Sequence, residues 1–128
     1  MIVVDASALV AIALGEPEQA AFFNVLERAE SARISPINFV ESGIILRRYG
    51  VISDAAGLER WLSVHGVTLM EANISAQALS AYFRFGKGRH PARLNLADCF
   101  AYALAKHLDA PLLYKGDDFS QTDVRSAL

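Results

Sequence analysis

The chain opens on an apolar run, Met1-Ile2-Val3-Val4, that has no polar alternation and stops abruptly at Asp5. A strand with one wet face would alternate apolar and polar residues. An unbroken run instead predicts a strand covered on both faces, as in a parallel sheet flanked by helices. Three later stretches, Ala32 to Ser35, Val67 to Met70 and Pro111 to Tyr114, read as weaker strands, each preceded by a plausible helix.

Helix boundaries are marked by caps and breakers. Ser7 can cap Ala8 to Leu14 with Gly15 as the stop, and Pro17 suits the first turn of a helix reaching about Glu30. Ser35 and Pro36 open a helix to about Tyr49. Ser53 opens one through Leu58, Trp61 and Leu62 that stops before Gly66. Ser75 caps a helix to about Phe85, and Asn95 caps one to about Leu108. Six helices alternating with about four strands predict a three-layer α/β/α domain with a mostly parallel central sheet. With 128 residues, 53% hydrophobic and 20% charged, the chain can close one core, so residues 1–128 are expected to form a single domain.

Several classes are excluded by the same data. The apolar start has no basic lead-in and contains Asp5, unlike an export signal. No run of about 18 apolar residues occurs without a charge, so no membrane span is expected. The single cysteine, Cys99, permits no internal disulfide and fits a reducing, cytoplasmic setting. A net charge of -2 argues against a broad basic surface for nucleic acid, so any RNA contact must be local.

The acidic residues carry the chemistry. Asp5 follows a buried strand at its carboxyl end, where open α/β sheets bind ligands. The alternative is that it merely caps the next helix. Glu41 lies on or beside an apolar stripe with Ile37, Ile44 and Ile45, where a carboxylate is costly unless compensated; otherwise it snorkels outward or pairs with Arg48. Asp98 shares a stripe with Leu94, Ala101, Ala105 and Leu108, and with Asn95 it also matches a capping box. Asp117 and Asp118 follow the last apolar strand. Two like charges about 4 Å apart repel by roughly 4 kcal/mol at an effective dielectric of 20, so several together require protons or a cation. Carboxylates without histidine or cysteine suit magnesium, which takes oxygen ligands and can activate a water beside a phosphate.

Ile2-Val3-Val4-Asp5-Ala6-Ser7-Ala8, Glu41 after Ser35-Pro36, Leu94 to Ala105 around Asp98, and Leu112-Leu113-Tyr114-Lys115-Gly116-Asp117-Asp118-Phe119 followed by Thr122-Asp123 together resemble the PIN-domain ribonucleases. Within that family the chain is similar to the VapC-type toxins of toxin-antitoxin pairs. The resemblance implies metal-dependent endonucleolytic cleavage of RNA, with Asp5, Glu41 and Asp98 as catalytic and metal-site acids and Mg2+, or Mn2+, as cofactor. Ser7 matches the family's hydroxyl residue beside the first aspartate. Many relatives space their last two aspartates apart, whereas Asp117 and Asp118 are adjacent, so both are carried as the fourth acid. The resemblance further implies a homodimer and a cognate antitoxin that blocks the site.

Lys87, Arg89, His90 and Arg93 lie in a turn-rich segment just before the Asp98 helix. With Lys115, the lysines and arginines are candidates for phosphate contacts to RNA, against the reading of a solvated loop. His90 precedes Pro91 in that loop and reads as surface, while His65 and His107, near helix ends, read as structural. Adjacent large residues, Phe22 with Phe23, Ile44 with Ile45 and Tyr82 with Phe83, cannot all face one core, so some are expected at a dimer or antitoxin interface. Two other functions compete with the nuclease. One is a non-catalytic binding module on the same fold. The other is a phosphoryl-transfer domain, which Lys115 favours and the lack of an Asp-x-Asp after the first strand disfavours.

Overall fold

The computed structural model describes residues 1–128. In chain order it contains β1 (Ile2–Val4), α1 (Ala6–Leu14), α2 (Gln19–Arg28), β2 (Ala32–Ile34), α3 (Pro36–Arg48), α4 (Ala55–Val64), β3 (Val67–Leu69), α5 (Ser75–Phe85), α6 (Leu96–His107) and β4 (Leu112–Leu113), followed by a 3-10 turn at Phe119–Gln121. The four strands pair in parallel in the order β3-β2-β1-β4. The opening apolar run is therefore a central strand, which is why it tolerates no polar residue. A C-terminal segment adds one bridge, Ser126 beside Leu112.

Side chains alternate across the sheet and build two cores. Val3 and Leu112 point into one with Leu94, Ala101, Leu104 and Phe119, covered by α5 and α6. Val4 and Leu113 point into the other with Leu9, Phe22, Ile34, Leu46 and Leu58, covered by α1 to α4. Helices thus cover both faces, giving the expected three layers. The buried face of α6 is mostly alanine, at positions 101, 103 and 105. Small side chains let this helix lie close to β1 and β4 and bring its first turn near the strand ends.

Four helix starts differ from the sequence expectation, each by a local hydrogen bond or its absence. Asp5, two residues before Ser7, caps α1 by accepting from the Ser7 N–H. Asp54 caps α4 in place of Ser53, accepting from the Gly57 N–H at 2.9 Å. Ser75 is the first helical residue of α5, which has no side-chain cap. Pro17 stands in the turn before α2, which begins at Gln19. The boundaries at Gly15, Ser35 and Asn95 fall as expected. Gly15 adopts φ +68° and its N–H returns to the Ala11 and Ile12 carbonyls, a left-handed cap that glycine allows without strain.

Candidate active site

The carboxyl ends of β1 and β4 and the first turns of α1, α3 and α6 meet at one edge of the sheet. Asp5 leaves β1 there and is almost fully buried. Its Oδ2 accepts from the Ser7 N–H at 3.0 Å and from the Ser7 hydroxyl at 2.6 Å. Asp5 is therefore both a helix cap and a site acid. The Ser7 hydroxyl in turn accepts from the Lys115 N–H at 3.0 Å, which ties the loop after β4 to the start of α1. The other Asp5 oxygen, Oδ1, is buried with no hydrogen-bond partner. A buried, unpaired carboxylate oxygen is costly, and it points to a ligand of opposite charge.

Glu41 and Asp98 are coupled to Asp5, and Asp118 to Asp98. Burial, and then the charge of Glu41, push Asp5 up to about 6 against the pull of the Ser7 hydrogen bonds. Asp98 is pushed up to about 6 by burial and by the charges of Asp5 and Asp118, against the pull of the Asn95 N–H. Glu41 is raised by burial and by Asp98. None of the molecule's five ion pairs involves any of these acids, so the proposed Glu41–Arg48 pair does not form. The capping box of α6 is present: the Asn95 side chain accepts from the Asp98 N–H at 2.8 Å, and the Asp98 carboxylate accepts from the Asn95 N–H at 3.0 Å. Both readings of Asp98 hold together.

Asp118, and not Asp117, is the neighbour whose charge Asp98 feels. Asp117 is exposed, its carbonyl accepting from the Ser120 hydroxyl. The acids are coupled without being closed: no three His, Cys, Asp or Glu side chains are placed to hold a metal ion together. An open arrangement fits magnesium, which is usually held by one or two carboxylates and keeps waters and phosphate oxygens in the rest of its shell. The all-oxygen donor set and the unpartnered Asp5 Oδ1 fit the same ion.

Other candidate residues sort by their contacts. Lys87, Arg89 and Arg93 are exposed on the loop that leads into α6, and none has an ionic partner. Lys115 is committed elsewhere, its ammonium lying 3.2 Å from Glu16 and 3.1 Å from Glu18, which raises its pKa. His90 is half-buried, edge-on to Phe85, and its Nδ1 accepts from the Ala92 N–H, which is a structural role. His65 stacks on Trp61 and is equally structural. Asp123 bonds the Tyr102 hydroxyl and Lys106, pinning the C-terminal segment to α6. The Cys99 thiol is buried and pushed up to about 11 by that burial and by Asp98, so it stays protonated.

The reading from residues missed Asn38. It is fully buried in α3, and its amide donates to the Ala97 carbonyl of α6 at 3.2 Å. Its place three residues before Glu41, one helical turn away, was the available signal.

The PIN domain family model matches residues 2–125 of the chain. The chain belongs to the PIN-domain family. Several of its full-length relatives are VapC ribonucleases. Ribonuclease VapC42 of Mycobacterium tuberculosis is 40% identical over 128 residues, covering 98% of each chain. Ribonuclease VapC28 of the same organism is 42% identical over 132 residues, covering 98% of this chain and 97% of the relative. Among solved structures, Mycobacterium tuberculosis VapC20, described as a sarcin-ricin loop cleaving toxin, superposes with a TM-score of 0.73 over 98% of this chain and 99% of its own, at 19% identity. That likeness extends the fold agreement to an experimental structure. In this PIN domain, Asp5, Glu41, Asp98 and Asp118 are the acids brought to one sheet edge.

Proposed function

We infer that this chain is the toxin of a type II toxin-antitoxin pair, a magnesium-dependent endoribonuclease acting in the cytoplasm. One observation carries the reading: a buried carboxylate oxygen of Asp5 stands without a partner among acids that raise one another's pKa and have no cationic side chain to neutralise them. Full-length relatives named as VapC ribonucleases support it.

Asp5, Glu41, Asp98 and Asp118 would line the ion, one or two of them directly and the others through its waters, with Asp117 on the same loop. Bound there, magnesium, or manganese in its place, supplies an activated water and offsets charge on the scissile phosphate. Ser7 holds the Asp5 carboxylate in one orientation through two hydrogen bonds. The Lys87, Arg89 and Arg93 loop runs into α6 only two residues before its Asn95 cap, and these cations can grip RNA phosphates beside the acids. Lys115 contributes through the Glu16 and Glu18 pairs, by bracing the acidic loop.

Partners follow from exposed apolar surface. Of each adjacent large pair one member turns outward: Phe23, Ile44 and Phe83 are exposed. Pro36, Ile37, Val40, Ile44 and Ile45 line an apolar groove that contains Glu41, a fit for an antitoxin segment that carries apolar side chains and a cation for the acids. The outward faces of α5 and α3 leave area for a homodimer.

Cleavage of structured RNA by the purified protein, with magnesium and with chelator, tests the reading. Activity in wild type that needs the metal and is lost in Asp98→Asn supports it. Equal activity in both proteins, or cleavage indifferent to chelator, refutes it.

A further inference from the structure

The candidate site depends on two helices from distant parts of the sequence keeping one spacing, and a single buried amide spans them. Ser35, Asn38 and Ser42 form a polar group with no solvent exposure, inside a layer that is otherwise apolar. Ser35 caps α3: its hydroxyl oxygen accepts from the Asn38 N–H at 3.2 Å and donates to the Asn38 side-chain oxygen. With that oxygen engaged, the NH2 group must point the other way. One of its hydrogens reaches the Ala97 carbonyl, 59 residues on in sequence, in the first turn of α6 and next to Asp98. Glu41 follows Asn38 on α3 by three residues, one helical turn along the same helix.

A buried primary amide is costly unless its donors are satisfied. Helix-helix packing alone would be served as well by leucine or alanine, both of which favour helices more than asparagine does. Asparagine here, with its orientation set by Ser35, supplies a directed donor that an apolar side chain cannot. It ties the turn of α3 that precedes Glu41 to the Ala97 carbonyl beside Asp98.

Resting on the metal-site reading above, we propose that Asn38 is a positioning residue: its amide, oriented by Ser35, sets the separation of Glu41 on α3 from Asp98 on α6 and thereby the affinity of the acidic pocket for a divalent cation. Ser42 is the internal contrast. It is buried one turn further along and its hydroxyl bonds the Asn38 backbone carbonyl at 2.7 Å, so it contributes to the same helix without touching the amide.

The test is Mn2+ binding to the full chain, followed by titration calorimetry and by the spin-resonance signal of free Mn2+, with each protein's folded fraction checked by circular dichroism. Removing a partner that orients a metal ligand typically weakens metal binding by roughly 10- to 100-fold. Asn38→Ala is expected to weaken Mn2+ binding within that range. Ser35→Ala, which leaves the amide free to turn, is expected to weaken it by a smaller factor, and Ser42→Ala is expected to bind as wild type does. If Asn38→Ala and Ser35→Ala bind Mn2+ within about twofold of wild type, the positioning role is wrong while the metal site stands. Equal weakening in Ser42→Ala also overturns it, because that pattern marks general loosening of α3. Wild type that binds no Mn2+ overturns the metal-site reading itself.

Discussion

Asp5 is held under two opposed demands. Ser7 satisfies one carboxylate oxygen, while the other is buried and unpaired, and burial pushes the group up to about 6. In the unfolded chain an aspartate titrates near 3.8. Between these values the folded protein keeps a proton that the unfolded chain releases. The stabilising contribution is complete below about pH 4 and is lost as pH rises through about 6, a difference of roughly 3 kcal/mol. Asp5→Asn removes that loss. In chelator at pH 7.5 its melting temperature is expected to exceed that of wild type, and added magnesium should raise wild type alone; a variant that melts below wild type contradicts the assignment. Asp98→Asn is expected to cut RNA cleavage by at least about 100-fold, beyond what losing an outer partner costs, in a single-turnover assay. At this scale the acids were legible because Asp5 ends an uninterrupted apolar strand and Asp98 sits on an apolar stripe. Asn38 was not, since a lone asparagine within a helix gives no sign of its burial until the packing of α6 against α3 supplies its partner.

The helices show which local signals govern and which are overridden. Ser35 and Asn95 cap α3 and α6 as their sequence positions suggest, and the Asn95 box draws Asp98 into the first turn. Ser7 and Ser53 lose that role to neighbouring aspartates, whose longer side chains reach the free N–H groups from just outside the helix. Element type survives such shifts because it rests on the apolar period, whereas an end is decided by one hydrogen bond. At the junction between α5 and the basic loop stands the most tightly enclosed glycine of the chain. A Cβ on Gly86 would lie 2.3 Å from the Tyr82 carbonyl oxygen, and backbone has no rotamer with which to yield. Gly86→Ala is therefore expected to cost about 1–3 kcal/mol, the range for forced overpacking, measured by urea unfolding. Because this loop feeds α6, the same variant should weaken RNA binding more than Mn2+ binding.

Across the whole molecule, apolar residues outnumber the places available to them. Both faces of the sheet are already filled, yet Val40, Ile44, Leu79, Phe83 and Leu96 remain exposed. With the antitoxin seated in the α3 groove, Ile44→Ala is expected to weaken its binding about tenfold, about 1.4 kcal/mol, and to leave Mn2+ affinity unchanged. Calorimetry with the cognate antitoxin checks this, and unaltered affinity would remove the groove from the interface. The layered fold was readable from the alternation of helices and strands, because covering a parallel sheet leaves few alternatives. Which outward faces meet a partner was not, since an exposed isoleucine and a buried one look alike until the core is full.

The strand order has a consequence for synthesis. The strand that carries Asp5 is made long before its neighbour β4 and the loop with Asp118, and Asp98 precedes them only by one helix. Proteins fold as they emerge, from the amino end onward. Until residues 112–118 have emerged, the pocket has no fourth wall, so a nascent copy holds only part of its acidic edge.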